Sequence, residues 1–501
     1  MFDDTCSSKV SGTQAKFCSA AKAEIICFSI LMTYFGVKAM YFALRIRERI
    51  FPDEISWYGM VQVFSRSRFL PVDSPESYPF GLVTHIPTLY FFVMGKVLTL
   101  NVFGINDLFF LRVVNVGIGV VTILFAWRLC CLLTDQVLVR LLFLTMLTNT
   151  LMFTFLFGAV SYDNLANLFA VMAFYFFCLF SLRRQVLSLQ FALISVLAGC
   201  LTKVTFLPLA LLFAIALFWR ERGSIQNVRK YIGTIFSLTI IKSQLIAWLV
   251  IVVMAGAGVT LYGGNWLKYS QLSPGSEAIL SLENALKYRI AARNYVLGSY
   301  KKDSISLLEA QRLALQIREE ADRQDTLMLL DIAREEKNRK TSIEPVMGRL
   351  EYSLAWLGAV FSKTFGILAH KSMPKEGWKE MGPYYTFVVI ALFGFFLRAR
   401  DGLTGLKNCG FQLLFVTCGY LFILMQFVNY SIYQAAGVLN LALQGRYTFP
   451  VLVPFYILCA YYFVVAWPQR LRLWLTATLG VFFVSGEFPW FLQQVTPDWF
   501  F

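Results

Sequence analysis

Long apolar runs separated by polar stretches set the hydrophobic pattern of this 501-residue chain. Most runs are close to the roughly 20 residues that a helix needs to span a bilayer. The pattern therefore predicts an all-α, polytopic membrane protein. The apolar runs lie at 24–44, 84–102, 108–132, 137–157, 164–182, 186–201, 204–219, 243–263, 381–399, 409–429, 447–466 and 472–493.

Short basic loops predict how these runs cross, because Lys and Arg favour the cytoplasmic side of a membrane. Four such loops agree with one another if every run between them crosses once. The Lys-containing tail at residues 1–23 joins them if the run 84–102 enters the outer leaflet and returns, and Pro79, Gly81 and Pro87 favour that irregular entry. The result is a bundle of about 11 helices, with the N-terminus inside and the C-terminus outside. The four loops lie at 183–184, 220–242, 398–407 and 470–472.

This topology divides the chain into three parts. A further apolar run, 353–369, is expected to lie on the outer membrane surface as an interfacial helix. The parts are residues 1–263, an N-terminal transmembrane catalytic module with a first outer loop at 45–107; residues 264–380, an external helical insertion; and residues 381–501, the C-terminal transmembrane helices.

The middle of the insertion has a helical pattern and is expected to form a small cap packed on the membrane domain. Ser306 and Glu309 have the spacing of a capping box at a helix start. Its buried stripe is predicted to consist of Leu308, Leu315, Ala321, Met328 and Ile332.

Composition supports the membrane assignment and excludes other classes. The chain is 57% hydrophobic and 15% charged, with 48 Phe. Its net charge of +15 lies largely in short loops that set orientation, so no nucleic-acid partner is expected. Arg45, Arg47 and Arg49 are the exception, because they fall just outside the first crossing. The ten cysteines avoid the long polar stretches, which argues against a disulfide framework, and two histidines are too few for a metal site.

Polar residues from distant segments are predicted to meet at the outer membrane surface. Carboxylates so close to hydrocarbon are costly unless they have a function or a partner. These residues are Asp53, Glu54, Arg66, Arg68 and His85 in the first outer loop, Tyr162, Asp163 and Asn164 at the start of one crossing, Lys203 in a tight turn between two helices, and Gln444, Arg446 and Tyr447 before another crossing.

Each of these residues also has a plainer interpretation. Asp53 and Glu54 fit a polar turn after a helix, and Asp163 fits a helix N-cap. Lys203 could extend towards lipid headgroups, and Arg446 could face anionic lipid. His85 is predicted to be a structural or substrate-contacting residue.

The combination suits displacement at a sugar carbon that carries a lipid-phosphate leaving group. A carboxylate takes the proton from an acceptor hydroxyl as it attacks. Cations stabilise the charge that develops on the departing phosphate. Because nucleotides are absent outside the cytoplasmic membrane, the donor there must be anchored in the membrane, which fits a chain without a nucleotide-binding motif.

Five short motifs, in order along the chain, resemble those of the GT-C superfamily of integral membrane glycosyltransferases. The likeness is nearest to the bacterial protein O-mannosyltransferases and aminoarabinose–lipid A transferases, and it covers most of the membrane part but little of 264–380. The motifs are Pro52-Asp-Glu54, His85-Ile-Pro-Thr-Leu-Tyr90, Ser161-Tyr-Asp-Asn164, Leu201-Thr-Lys203 and Gln444-Gly-Arg-Tyr447.

The resemblance implies an inverting transferase of the bacterial inner membrane that uses a polyprenyl-phosphate sugar. Asp53 would be the base, with Glu54 as alternative or helper, and Asp163 would orient the acceptor or assist the base. Lys203 and Arg446, with Arg66 and Arg68, would bind the donor phosphate.

His85, Asn164, Tyr162, Gln444 and Tyr447 would contact substrate. Oligosaccharyltransferases of this superfamily hold a divalent metal between two acidic motifs. The second motif here offers one Asp instead of Asp-x-Asp, so no metal ligands are assigned. The sugar and the acceptor, whether a glycan, a lipid or a protein, stay open.

The alternative function is a transporter or flippase of lipid-linked sugars. It would place polar residues near the bilayer midplane and often shows an internal repeat. The sequence shows neither feature, since its ionisable residues are predicted to gather at one face.

Overall fold

The computed structural model describes residues 7–221, 242–341, 347–369, 371–436, 439 and 443–501. Its described part is entirely helical, apart from isolated bridges that pair Ile46 with Phe500 and Ile367 with Met373. The predicted all-α class is confirmed. Most of the predicted basic loop 220–242 lies outside the described residues.

The N-terminal part begins with a long helix and contains both long and short elements. Its helices are α1 (Ser7–Arg45), α2 (Glu54–Arg66), α3 (Leu89–Leu98), α4 (Asp107–Leu133), α5 (Val137–Thr148), α6 (Leu151–Phe157), α7 (Tyr162–Arg183), α8 (Val186–Thr202), a 3-10 turn at Val204–Phe206, α9 (Leu207–Glu221) and α10 (Lys242–Gly258), which a π-helical turn at Val259–Gly263 joins to α11 (Gly264–Tyr269).

Shorter helices follow, and long apolar helices then resume. They are α12 (Ser276–Ile279), α13 (Leu282–Leu286), α14 (Arg289–Lys301), α15 (Leu307–Leu315), α16 (Glu320–Thr341), α17 (Arg349–Phe365), α18 (Gly377–Gly405), α19 (Gly410–Ile423), a π-helical turn at Leu424–Asn429, α20 (Tyr430–Ala436), a 3-10 helix at Gly445–Val451, α21 (Leu452–Ala466), α22 (Gln469–Ser485), α23 (Phe488–Gln494) and a 3-10 turn at Pro497–Trp499.

Nine helices of the described residues are long and apolar enough to cross a membrane, and a tenth candidate is the α5–α6 pair, bent by 62°. Helix α8 adds an eleventh apolar element of 17 residues, which spans roughly 25 Å. These eleven match the predicted crossings one by one. Helix α3 has only 10 residues, or roughly 15 Å, which agrees with a run that does not cross.

Side chains from the predicted cytoplasmic loops contact one another at one end of the bundle. Arg140 pairs with Glu24, Arg184 with Glu221, and Lys407 with Asp135. At the opposite end, Phe501 N donates to Arg45 O over 3.1 Å. The loops therefore separate into two ends as predicted, while the orientation of those ends in a membrane stays a prediction.

The predicted stripe of the insertion is wrong. Leu308, Leu315 and Met328 are 79%, 59% and 55% exposed. The helix ends at Leu315 and a new helix begins at Glu320, so the helical period does not continue across residues 316–319. The buried cluster consists of Val296, Tyr300, Ala310, Leu313, Ala314, Leu330 and Ala333. The capping box is present in part, because Ser306 Oγ accepts from Glu309 N over 3.2 Å.

Helix α17 begins four residues before the predicted interfacial run. It buries Tyr352, Trp356 and Val360, and Trp356 Nε1 donates to Asn429 Oδ1 over 3.2 Å, in the π-helical turn after α19. Packing of α17 against the bundle places its C-terminal end beside the segment that contains Arg446.

Candidate functional site

Four charged side chains from four separate segments meet at the end of the bundle that includes Phe501. Arg446 Nη2 lies 2.8 Å from Asp53 Oδ2, and Arg446 Nη1 lies 3.5 Å from Asp163 Oδ2. Lys203 Nζ pairs with the other oxygen of Asp163, Oδ1. Two cations and two carboxylates sum to zero charge, which compensates for the burial of both cations.

Asp53 precedes α2 in an unusual backbone conformation. Its φ of 57° is left-handed, which is uncommon for a residue with a side chain. It stands at the N-cap position of α2, yet its carboxylate makes no capping hydrogen bond and binds Arg446 instead. Backbone strain of this kind is concentrated at functional sites.

Asp163 lies in the first turn of α7. The N-cap interpretation is wrong for this residue, because Ser161 is the N-cap and its Oγ accepts from Asp163 N over 3.2 Å. The Asp163 carboxylate is thereby directed to the two cations.

Lys203 lies between α8 and the short 3-10 turn that follows it. Its ammonium is 5.3 Å from the ring centroid of Tyr162 and 5.1 Å from that of Tyr447. Both rings add cation–π attraction to the ion pair with Asp163. The Lys203 side chain is 8% exposed, so it does not extend to headgroups.

Arg446 is positioned by the loop before α21. Its Nε donates to Gln444 Oε1 over 2.5 Å. A Cβ on Gly445 would lie 2.7 Å from the backbone of Lys363, so only glycine lets α17 approach this closely. Lys363 Nζ then donates to Leu443 O over 2.8 Å and fixes the same loop.

Exposure separates the three predicted catalytic carboxylates. The side chain of Asp53 is 45% exposed, that of Asp163 is 4% exposed and that of Glu54 is fully buried. A proton-accepting group must be reached by the substrate hydroxyl. The geometry therefore favours Asp53.

Glu54 belongs to a separate buried ion pair with Arg112, which the sequence analysis did not single out. Arg112 Nε and Nη2 lie 2.9 and 2.5 Å from the two Glu54 oxygens, and Val160 N donates to Oε1 over 2.9 Å. Burial raises the pKa of Glu54, and the Arg112 guanidinium opposes that shift. Arg112 Nη1 also binds Ala43 O, so the pair joins the end of α1 to α2 and α4. This geometry favours a structural role for Glu54 over the predicted catalytic one.

The other predicted residues lie apart from the four-charge cluster. Arg66 and Arg68 are exposed at the far end of α2, and Arg66 is roughly 20 Å along the helix from Asp53. His85 Nδ1 lies 2.9 Å from Asn265 Oδ1, which ties the outer loop to α11. Asn164 Nδ2 donates to Asn115 Oδ1 over 2.9 Å within the helix packing.

A second buried ion pair escaped the sequence analysis, although a charge within an apolar run is a recognised signal. Lys38, in the first crossing, donates to Glu487 Oε2 over 2.5 Å and to Thr148 O over 2.8 Å. Both charged side chains are at most 1% exposed. They link α1 to the break between α22 and α23. The prediction that ionisable residues gather at one face is therefore wrong for this pair.

A divalent metal between the two acidic positions does not fit this geometry. Within the described residues, no group of three His, Cys, Asp or Glu side chains could hold a metal. The space between Asp53 and Asp163 contains the Arg446 guanidinium, which contacts both carboxylates. An ion would have to displace that cation.

Asp53 also lines a cavity of about 480 Å³ between the first outer loop and the helices after α11. Trp57 of α2 and Phe80 of the first outer loop line it, together with Glu277 of α12 and Asn294 of α14. The exposed carboxylate of the cluster is therefore accessible from this cavity.

No protein-family model and no curated protein sequence matches the chain. Solved structures of an oligosaccharyltransferase from Archaeoglobus fulgidus are similar in helix arrangement. In its complex with Zn and sulfate, the TM-score is 0.46 at 12% identity, over 91% of this chain and 53% of that one. For the same enzyme, AglB, with an inhibitory peptide and a dolichol-phosphate, the TM-score is 0.44 at 12% identity, over 92% and 54%. The chain thus spans about half the length of these proteins.

Proposed function

We propose that this chain is a GT-C-type membrane glycosyltransferase of the bacterial inner membrane. It transfers a sugar from a polyprenyl-phosphate donor to an acceptor hydroxyl on the extracytoplasmic face, by inverting displacement. One observation carries the proposal: an exposed carboxylate, Asp53, is held 2.8 Å from a buried guanidinium, Arg446, that also contacts the Asp163–Lys203 pair.

Asp53 acts as the general base. It takes the proton from the acceptor hydroxyl as the hydroxyl oxygen forms a bond to the anomeric carbon, and the bond from that carbon to the phosphate oxygen breaks on the opposite face. Arg446 holds the carboxylate in place and keeps it oriented towards the cavity. Fixed geometry of this kind lowers the barrier before any proton moves.

Arg446 and Lys203 stabilise the charge that develops on the departing polyprenyl phosphate. A guanidinium has five N–H donors, and the contacts with Gln444, Asp53 and Asp163 use at most three of them. The leaving phosphate needs no acid, so a base with cations beside it is sufficient for the reaction. Asp163 is 4% exposed, and its proposed role is to position the two cations.

The decisive experiment compares wild-type protein with Asp53→Asn in nanodiscs. A panel of synthetic polyprenyl-phosphate sugars is supplied with a membrane extract as acceptor, and release of polyprenyl phosphate is measured by mass spectrometry. The base role predicts a loss of about 10²–10⁴-fold in rate in a variant whose thermal melt shows that it is folded. Glu76→Gln, which changes an exposed carboxylate of the same loop, is the matched control.

A second assay, in proteoliposomes with a fluorescent polyprenyl-phosphate sugar as donor, tests the alternative of a flippase. A flippase would move the fluorescent donor across proteoliposomes without releasing polyprenyl phosphate, and Asp53→Asn would leave that movement unchanged. Release of polyprenyl phosphate by the Asp53→Asn variant at the wild-type rate would contradict the role of Asp53 as general base.

A further inference from the structure

The cavity beside Asp53 is built as a defined pocket. The ring of Phe80 lies directly on α2, where a Cβ at Gly59 would come within 2.1 Å of it. Leu82 packs with Leu280, Ala285 and Ala291 in one buried cluster, and the rings of Tyr78 and Tyr288 are 5.0 Å apart. The loop at 67–88 and the helices α12–α14 therefore form two fixed walls of the cavity.

Glu277 is set into the wall of the cavity that α12–α14 form. Its side chain is 11% exposed and pairs with Lys302 over 3.0 Å. A Cβ at Gly275 or at Gly298 would lie 2.3 Å from Glu277 atoms, so two glycines make room for this carboxylate. A carboxylate fixed in this way accepts hydrogen bonds from hydroxyl groups at constant geometry.

Trp57 connects the cavity to the four-charge cluster. It lines the cavity, and its ring packs edge-on against Tyr162 at 4.6 Å between centroids. Tyr162 in turn lies beside the Lys203 ammonium. A molecule bound on Trp57 and Phe80 therefore lies beside Asp53, where a nucleophilic hydroxyl is required.

We propose that this cavity is the acceptor site, and that the acceptor is a saccharide hydroxyl, from either a glycolipid headgroup or a glycan end. The proposal rests on the proposed transferase function with Asp53 as base. Aromatic side chains with a few placed polar groups, here Glu277 and Asn294, are typical of small-molecule sites of roughly 300–1,000 Å³, a range that includes this cavity of about 480 Å³.

A peptide acceptor is less well matched. Two common modes of peptide binding are the addition of an extended strand to a sheet edge and the placing of an amphipathic helix in an apolar groove. The described residues around the cavity belong to helices and to the loop at 67–88, without a strand edge, and a fixed carboxylate suits hydroxyl-rich ligands instead. The helices after α11 would then select which sugar is accepted.

Binding to a printed saccharide array and a printed peptide array tests the proposal without need for turnover. The full chain is used in nanodiscs as wild type and as Glu277→Ala, Asn294→Ala and Asp53→Asn. We expect wild type to bind at least one saccharide, and Glu277→Ala to bind it at least about tenfold more weakly, because hydrogen bonds to a charged group contribute more than neutral ones. Asn294→Ala removes a neutral, exposed amide and should bind it about two- to tenfold more weakly, and Asp53→Asn should retain binding. Glu283→Gln, which removes an exposed carboxylate paired with Lys287, should bind like wild type.

Melting temperatures establish that the variants are folded. Binding to peptides only, binding to neither array, or saccharide binding that survives both alanine substitutions would overturn the acceptor site while leaving the transferase proposal intact. Conversely, Glu277-dependent saccharide binding without release of polyprenyl phosphate would support the cavity and contradict the transferase.

Discussion

The Arg446 guanidinium binds the Asp53 carboxylate at 2.8 Å across 393 positions of sequence. One residue precedes α2 and the other lies just before α21, so the contact joins the two halves of the membrane domain. It also gives the exposed carboxylate a fixed direction. Because Arg446 contacts Asp163 as well, a single planar cation organises both acidic positions.

Arg446→Lys should therefore be strongly impaired although the charge is kept. A lysine ammonium is a point charge that cannot reproduce the forked geometry of a guanidinium. We expect a loss of about 10²–10³-fold in kcat, comparable to removal of an oxyanion-stabilising donor. Release of polyprenyl phosphate by purified protein measures it.

Arg470→Lys is the matched control for that substitution, since Arg470 is exposed at the start of α22. Its rate should equal that of wild type. An Arg446→Lys variant that turned over within threefold of wild type would show that the fork is dispensable.

The Asp163–Lys203 pair should behave as a unit in stability. Lys203→Met leaves a buried carboxylate with a weaker partner, and breaking a buried pair costs about 3–5 kcal/mol. The double variant Lys203→Met with Asp163→Asn should be destabilised by less than the sum of the two single variants. Thermal melts of the four proteins in one detergent give the coupling, and strict additivity would mean that the two groups do not interact.

The presence of the helices and the convergence of these segments at one end of the bundle could be predicted from the sequence, because hydrophobic length and loop charge both reflect the bilayer. The turn at Lys203 and the segments before α7 and α21 lie at the same end for that reason. The roles of those residues stay proposals.

The partners of individual side chains were not accessible. Asp53 and Glu54 are neighbours in sequence, yet the left-handed backbone at Asp53 sends its carboxylate to Arg446 while Glu54 turns inward to Arg112. No pattern in the sequence specifies that φ angle. The predicted apolar stripe of the insertion was wrong for a related reason. It assumed one continuous helix, whereas the helix ends at Leu315 and the next one begins at Glu320 with a different set of buried positions.

Metal removal should not affect turnover. The Arg446 guanidinium lies between the two acidic positions, and a divalent ion would have to displace it from both. We expect the rate after dialysis against EDTA to stay within about twofold of the untreated rate. Removal of a catalytic Lewis acid would instead raise the barrier by several kcal/mol and lower the rate by far more than twofold. A large loss that Mg²⁺ or Mn²⁺ restores would show that the ion competes successfully with the arginine.

Lys375 should make the stability of the protein rise with pH above about 8. It lies just before α18 with a 2% exposed side chain, and Nζ donates to Tyr384 OH over 3.0 Å. Burial lowers the pKa of Lys375 from 10.5 to about 8. Below pH 8 the folded protein contains a costly buried ammonium. Between pH 8 and 10.5 the unfolded chain binds more protons, so folding becomes more favourable as pH rises.

Between pH 8 and 9.5 this contribution should grow by roughly 1–2 kcal/mol, because a full difference of one proton gives 1.36 kcal/mol for each pH unit and the folded protein is only half deprotonated at pH 8. The melting temperature of wild type should therefore rise relative to that of Lys375→Met between pH 8 and 9.5, whatever the difference between the two proteins at pH 8. Lys379→Met, which changes an exposed lysine in the first turn of α18, is the matched control. A difference between wild type and Lys375→Met that stays constant from pH 7 to 9.5 would show that the Lys375 ammonium does not release its proton in the folded protein.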